Sequence, residues 1–351
     1  MTPLARLLLQ RIEASGPISL ADYMADCLLH PLHGYYATRD PFGAQGDFIT
    51  APEISQMFGE LLGLCLAQGW LDQGAPSAFT LAELGPGRGT LMADVLRATA
   101  KVPGFHAAAN ICLVEASASL RAVQRKTLAG YRVTWYDRTE DLPQAPLLLL
   151  ANEFFDALPI RQFSREGAGW AETMIGAREG VLAFGRGAAV AVAALAHRLQ
   201  ETPPGTVVEI CPAAPAIIDA ISARISAQGG LALVIDYGGW ISQGDTFQAL
   251  RAHQFCDPMA APGEADLTAH VDFEALARAA VCAHAYTTQG ALLTALGLHQ
   301  RAAQLARGLT GTAADAHQAA TRRLTAPEEM GNLFKALALF PQGAPPPAGF
   351  A

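Results

Sequence analysis

Phe79-Thr-Leu-Ala-Glu-Leu-Gly-Pro-Gly-Arg-Gly-Thr-Leu91 carries an apolar strand into three alternating glycines and then into a helical stretch. In an open α/β sheet, ligands sit beyond the carboxyl ends of the strands, and glycines there let a ligand approach the backbone. A nucleotide-like ligand is therefore expected at this turn. Outward from it, short apolar runs alternate with helical segments: Phe79 to Leu84, a helix after Gly89, Ile111 to Val114, a helix from Ser119, and Leu147 to Ala151. This rhythm predicts an α/β fold with a Rossmann-like core, a mostly parallel sheet joined by right-handed crossovers.

The glycine spacing narrows the ligand. A dinucleotide fingerprint places its third glycine after two spacers, to seat a pyrophosphate on the helix N-terminus. Here that position is Thr90. Instead the acid Glu83 precedes Gly85, Pro86, Gly87 and Gly89, an arrangement that resembles the first motif of methyltransferases that bind S-adenosylmethionine. That ligand carries a sulfonium and an ammonium and no phosphate, so an acid beside the loop is electrostatically sensible. Glu115 ends the next strand, where a carboxylate can accept both ribose hydroxyl hydrogens. Asp137, after the short strand Arg132 to Trp135, is a candidate for the adenine edge, with a solvated loop aspartate as the alternative.

The remainder divides around this core. Residues 1–75 form an N-terminal helical lead, with a break at Gly16 and Pro17 and a cap at Ser19, followed by a turn-rich loop from 34 to 52 that covers the site. Residues 76–160 are the cofactor-binding half. Residues 161–205 are an antiparallel insertion, and 206–340 resume the core at Val207 to Ile210 and Leu231 to Asp236 with a helical lobe. A flexible Pro-rich tail is expected over 341–351.

Composition excludes several classes. Apolar residues make up 51% and charged residues 16%, which is too apolar for a disordered chain, and the net charge of -8 offers no basic surface for nucleic acid. The run Leu7 to Leu9 is too short for a secretion signal, and Gly187 to Ala196 is too short to span a bilayer, so no membrane span is expected. Six cysteines stand singly at 27, 65, 112, 211, 256 and 282, a pattern of reduced thiols that points to a cytoplasmic location. Cys27, His30 and His33 recur every third residue, but Pro31 breaks the helix that would align them, so no metal is expected.

Beyond Leu147 to Ala151 the chain supplies Asn152, Glu153 and Asp156 at the sheet's carboxyl edge. Methyl transfer is an in-line displacement, so an enzyme chiefly aligns the acceptor and excludes water. In a turn, two acids three residues apart can aim at one ligand, and arginine methyltransferases, which the family resemblance given below brings in, carry acids in a comparable loop. By that analogy Glu153 and Asp156 hold the acceptor and Asn152 lies close to the methyl; service at a helix start is the alternative. Asp47, Thr50, Glu53 and Ser55 are candidates to close over the cofactor, and Asp236 and Tyr237 to line the pocket. His270 with Asp272 reads as an acid–base pair or, equally, Asp272 as the cap of a helix from Phe273 to Val281.

Several longer blocks carry a family resemblance: Gly46 to Glu60, Glu83 to Leu91, Ala151 to Pro159, Val234 to Gly238, Pro262 to Phe273 and Pro327 to Lys335. In these the chain resembles the MidA-like methyltransferases, the family that includes the mitochondrial complex I assembly-factor arginine methyltransferase. Ala51 departs from the serine common there. The resemblance implies a Rossmann-like core with a helical lobe, S-adenosyl-L-methionine as cofactor, and a protein substrate methylated on arginine, in the mitochondrial relative a respiratory complex I subunit. A small-molecule methyltransferase and a cofactor-binding assembly factor without turnover are the other readings, and a homodimer is left open. A nicotinamide dehydrogenase is disfavoured by the glycine spacing.

Overall fold

A computed structural model describes residues 1–38 and 50–350. Every position of Phe79–Leu84 is buried, as a strand covered by helices on both faces requires. It is β1 of a sheet whose other main strands are β2 (Ala109–Val114), β3 (Val133–Tyr136), β4 (Leu147–Asn152), β5 (Gly230–Gly239), β6 (Ala283–Thr288) and β7 (Phe334–Phe340). Their spatial order is 3-2-1-4-5-7-6. The first five run parallel, and β7 lies antiparallel to both β5 and β6. The order reverses between β1 and β4, so a crevice opens beyond Leu84 and Asn152, where the ligand rule for open sheets places a site.

Alternation along each strand feeds two cores. Leu148 and Leu150 of β4 face one layer with Phe58, Leu62 and Val95 from helices Gln56–Asp72 and Thr90–Thr99. Leu147 and Leu149 face the other, with Ile218 and Ile221 of Ala214–Gln228 and Leu276 of Phe273–Ala279. The N-terminal lead forms the expected helices Pro3–Ser15 and Leu20–Leu29, the second opened by a capping box between Ser19 and Asp22.

A second sheet is wholly antiparallel. Arg161–Glu166 lies between Gly169–Arg178 and Val207–Ile210, Val181–Val190 pairs with Gly169–Arg178, and Ile18–Ser19 of the lead joins the same strand. Val207–Ile210 is a correction, because it was expected to resume the parallel core. A run of four mostly apolar residues suits either sheet, and the partner decides. A third small sheet joins Gln248–Arg251 to Gln254–Cys256 and Asp266–Thr268. The tail also departs from expectation. Ala344 and Phe350 pack on the main core, and the Cys65 thiol donates to the Ala348 carbonyl at 3.4 Å. Cys27 is buried, and the His30 and His33 rings stack 5.1 Å apart. No described helix is long and apolar enough to cross a membrane.

Candidate active site

The turn after β1 needs its glycines. Gly85, Gly87 and Gly89 have φ of 57°, 51° and 82°, in the left-handed region that a side chain disfavours. A Cβ on Gly85 would also stand 2.9 Å from the Phe154 ring. The turn walls a cleft enclosing about 410 Å³ of space open to solvent, with Thr50, Glu53, Glu83, Thr90, Asn152 and Glu153 among its other lining residues.

Glu83 is 3% exposed, and its Oε2 finds no hydrogen-bond partner among the described residues. Burial, with a smaller push from Glu115, raises its carboxyl to about 8. Glu115 is tied down on both oxygens, accepting from the Ser117 N–H at 2.8 Å and from Gln124 Nε2 at 3.1 Å. The same Gln124 amide donates to the Gly87 carbonyl at 2.8 Å, so one buried side chain fixes the glycine turn against the acid at the end of β2. Nothing in the sequence singled out Gln124; its signal is positional, one helical turn beyond Leu120 on the buried face of Ala118–Thr127.

The short helix Ala51–Ile54 bridges the two halves of the cleft. Glu53 accepts the Thr90 hydroxyl at 2.7 Å, while the Ala51 N–H reaches Glu153 Oε1 at 3.3 Å. Glu153 Oε1 also accepts from Asn152 Nδ2 at 3.1 Å, which leaves Asn152 Oδ1 without a partner among the described residues. Glu153 itself has φ of 50°, a conformation costly for a non-glycine residue, and its N–H donates to the Ile235 carbonyl at 2.9 Å.

What holds that strained turn is Asp236. It is fully buried behind the loop rather than lining the cleft, and its Oδ2 accepts the N–H groups of Phe154, Phe155 and Asp156 at 3.2, 3.0 and 3.2 Å. Its Oδ1 accepts the Tyr237 N–H at 3.0 Å. The Tyr237 hydroxyl then donates to Asp156 Oδ2 at 2.6 Å, and Asp156 Oδ1 has no partner among the described residues. Burial raises the carboxyls of Glu153 to about 7 and of Asp156 to about 6, with Asp156 adding to the rise at Glu153. Burial, and after it Asp156 and Glu153, push the Asp236 carboxyl well above its ordinary value, against the backbone donors that favour its ionised form.

Other candidates lie elsewhere. Ser55 caps helix Gln56–Asp72 through the Met57 N–H at 3.3 Å. Asp137 is an exposed partner of Arg121 at 2.5 Å and is not among the residues lining the cleft. His270 packs its ring 5.5 Å from that of Tyr237 and is not among the residues lining the cleft. Asp272 caps Phe273–Ala279 through the Ala275 N–H at 2.9 Å, which favours the cap over an acid–base partner of His270. Asp47 lies outside the described residues.

The chemistry of this cleft is that of an acceptor set. A buried carboxylate oxygen without a partner, a carbonyl oxygen without a partner and a turn that admits no side chain fit a cationic ligand presenting N–H groups, as S-adenosylmethionine does. Residues 61–292 match the model of a family of S-adenosyl-L-methionine-dependent methyltransferases. The chain belongs to that family. As a member of it, the protein is an S-adenosylmethionine-dependent methyltransferase with a Rossmann-like fold.

Among its relatives, the mitochondrial protein arginine methyltransferase NDUFAF7 of Mus musculus is 40% identical over 305 residues, 80% of this chain and 70% of the relative. That of Xenopus tropicalis is 35% identical over 384 residues, 98% and 88% of the two chains. A solved structure from Burkholderia thailandensis, bound to S-adenosyl-homocysteine, aligns with a TM-score of 0.85 at 31% identity, covering 99% of this chain and 93% of that one. These relatives overturn one expectation. The cytoplasmic location drawn from the cysteines does not stand, because the curated relatives are named as mitochondrial. Free thiols report a reducing surrounding and not which compartment supplies it.

Proposed function

We propose that this methyltransferase acts on an arginine of a protein partner, with Glu153 and Asp156 as the acids that hold the guanidinium. The observation that carries the reading is the pair itself: a half-buried carboxylate, Glu153, and a buried one, Asp156, on one strained turn, with Asp156 Oδ1 left without a partner among the described residues. A guanidinium supplies five N–H donors in a fixed fork and no acceptor, which complements such a turn. The names of the relatives support the same substrate class.

The bound donor supplies a methyl already activated by a positive sulfur. The protein's own part is placement and charge. Glu53 and Ala51 hold the covering helix across both halves of the cleft. Tyr237 donates to Asp156 Oδ2 and leaves Oδ1 as the oxygen available to an acceptor. Glu153, with its carboxyl near 7, is suited to take the proton that the acceptor nitrogen sheds on methylation. By resemblance, a subunit of respiratory complex I is the first partner to examine.

The test is genetic and chemical. Methylarginine is mapped by mass spectrometry in complex I subunits, and then across the proteome, from cells carrying the wild-type protein or Asp156→Asn. A site present in the first and lost in the second is expected. If the two methylarginine maps coincide, the arginine reading falls.

A further inference from the structure

The cleft gathers more carboxyl groups than the ammonium of the methyl donor alone requires. Glu53, Glu83 and Glu153 all line it. Two polar oxygens among its lining residues, Glu83 Oε2 and Asn152 Oδ1, belong to side chains that are 3% and 9% exposed and have no partner among the described residues. Asn152 Oδ1 is an acceptor, and Glu83 Oε2 is one once its carboxyl gives up its proton, so both favour a cation. Two of these glutamates differ in position. Glu83 lies in β1, next to its last residue and ahead of the glycine turn, while Glu153 directly follows β4 on the other side of the crevice.

The ligand's charge changes during the reaction. Transfer breaks the bond between sulfur and methyl, leaves its electron pair on sulfur and forms a bond from the acceptor nitrogen's lone pair to the methyl carbon. The positive charge thus leaves the donor and passes to the acceptor, which sheds one proton. The spent S-adenosylhomocysteine keeps its ammonium and has a neutral thioether.

We propose that Glu153 makes this cleft a reader of ligand charge, holding the sulfonium donor more tightly than the neutral thioether product, so that loss of the positive charge itself favours product release. This rests on the acceptor site proposed above, in which Glu153 stands beside the group that receives the methyl. An interaction with the ammonium, at Glu83 or elsewhere, is common to both ligands and cancels in the ratio of their affinities. An interaction with the sulfonium does not cancel.

The pH dependence has a defined sign. The Glu153 carboxyl titrates near 7, raised first by burial and then by Asp156, and lowered by the Ala51 N–H, by Asn152 and by Arg323. The other charged groups around it are Glu53 on the covering helix, Glu83 on β1, Arg88 on the turn and Asp236 on β5. Below its titration point Glu153 holds a proton that a cation must displace. Preference for the donor therefore grows as pH rises through about 7 and shrinks as pH falls through it.

The experiment is calorimetric titration of the whole protein with S-adenosylmethionine and, separately, S-adenosylhomocysteine, at about pH 6 and about pH 8. In the wild type the donor is expected to bind about tenfold more tightly at the higher pH, as one partly desolvated charge pair allows, and close to equally at the lower. Glu153→Gln should bring the two ligands near parity at both. Asp219→Asn, which removes an exposed charge from Ala214–Gln228, should retain the wild-type ratio, so that overall charge is separated from local charge.

Equal affinities in the wild type at about pH 8, a preference independent of pH, or a preference retained in Glu153→Gln would each overturn the proposal. If that variant fails to fold, the wild-type series decides alone. Failure of the arginine reading would show instead in the methylarginine maps, which this titration does not touch.

Discussion

Glu60 and Glu83 are both buried glutamates, at 4% and 3% exposure, and they have opposite fates. Glu60 joins three helices, paired with Arg97 and with Arg301 at 2.7 Å, and against the push of burial these arginines hold its carboxyl below the ordinary value. Glu209 is likewise satisfied in the second sheet, by Gln162, by the Thr246 hydroxyl and by the N–H groups of Thr246 and Phe247. Glu83 in the wall of the crevice and Asp156 on the turn that follows Asn152 and Glu153 each keep an oxygen without a partner among the described residues and are pushed up to about 8 and about 6. Burial alone does not distinguish a site from a structural join. Unmet acceptors beside a turn that excludes side chains do.

Substitutions should separate the two kinds of acid. The largest effect is expected for Glu153→Gln: methyl transfer should fall by about 10²- to 10⁴-fold, while the Tm stays level or rises because repulsion with Asp156 is gone. A lower Tm with transfer intact would move Glu153 into the structural class. Glu209→Ala should do the reverse, costing about 3 kcal/mol in denaturant unfolding by stranding buried donors, with transfer per folded molecule unchanged. Gly85→Ala should cost about 2 kcal/mol and weaken donor binding, since its φ and the Phe154 ring both oppose a methyl group; unchanged donor affinity would show that the turn is not the cofactor's seat.

A smaller effect is expected from pH. The carboxyls of Glu83, Glu153 and Asp156 titrate at about 8, 7 and 6 when folded, against 4.5, 4.5 and 3.8 ordinarily. The folded protein thus keeps protons that the unfolded chain gives up, so this contribution to stability is full below the ordinary values and is lost as pH rises through the raised ones. The Tm of the ligand-free protein should fall between about pH 5 and about pH 8, and added S-adenosylmethionine should offset the loss. Least of all, Asp137→Asn, at an exposed ion pair, should shift stability by under about 0.5 kcal/mol and leave donor affinity alone. A marked loss of affinity would return Asp137 to the cofactor's surroundings.

The same contrast shows why parts of the molecule were legible in the sequence. Phe79 to Leu84 and Leu147 to Ala151 are continuous apolar runs, and glycines at every second position after the first leave few conformations, so the crevice could be read from local pattern. Asp236 was visible as a strand-end acid, but its grip on three consecutive N–H groups depends on a turn 80 residues away in sequence. Gln124 carries no motif at all. Val207–Ile210 has the same pattern in either sheet, and its pairing with Arg161–Glu166 is a tertiary choice. The tail looked mobile because proline and glycine dominate it, yet Phe350 anchors it.

The place of β7 bears on how the chain is made. Phe334–Phe340 is the last strand in the sequence, yet it lies between β5 and β6 and supplies the hydrogen bonds that join them. As the polypeptide leaves the ribosome, β1 to β5 can assemble in turn, but β5 keeps an open edge until more than 90 further residues have been synthesised. Throughout that interval the edge of β5 that Phe334–Phe340 covers in the finished fold is without this strand, and an uncovered edge of that kind is a template for pairing with other chains.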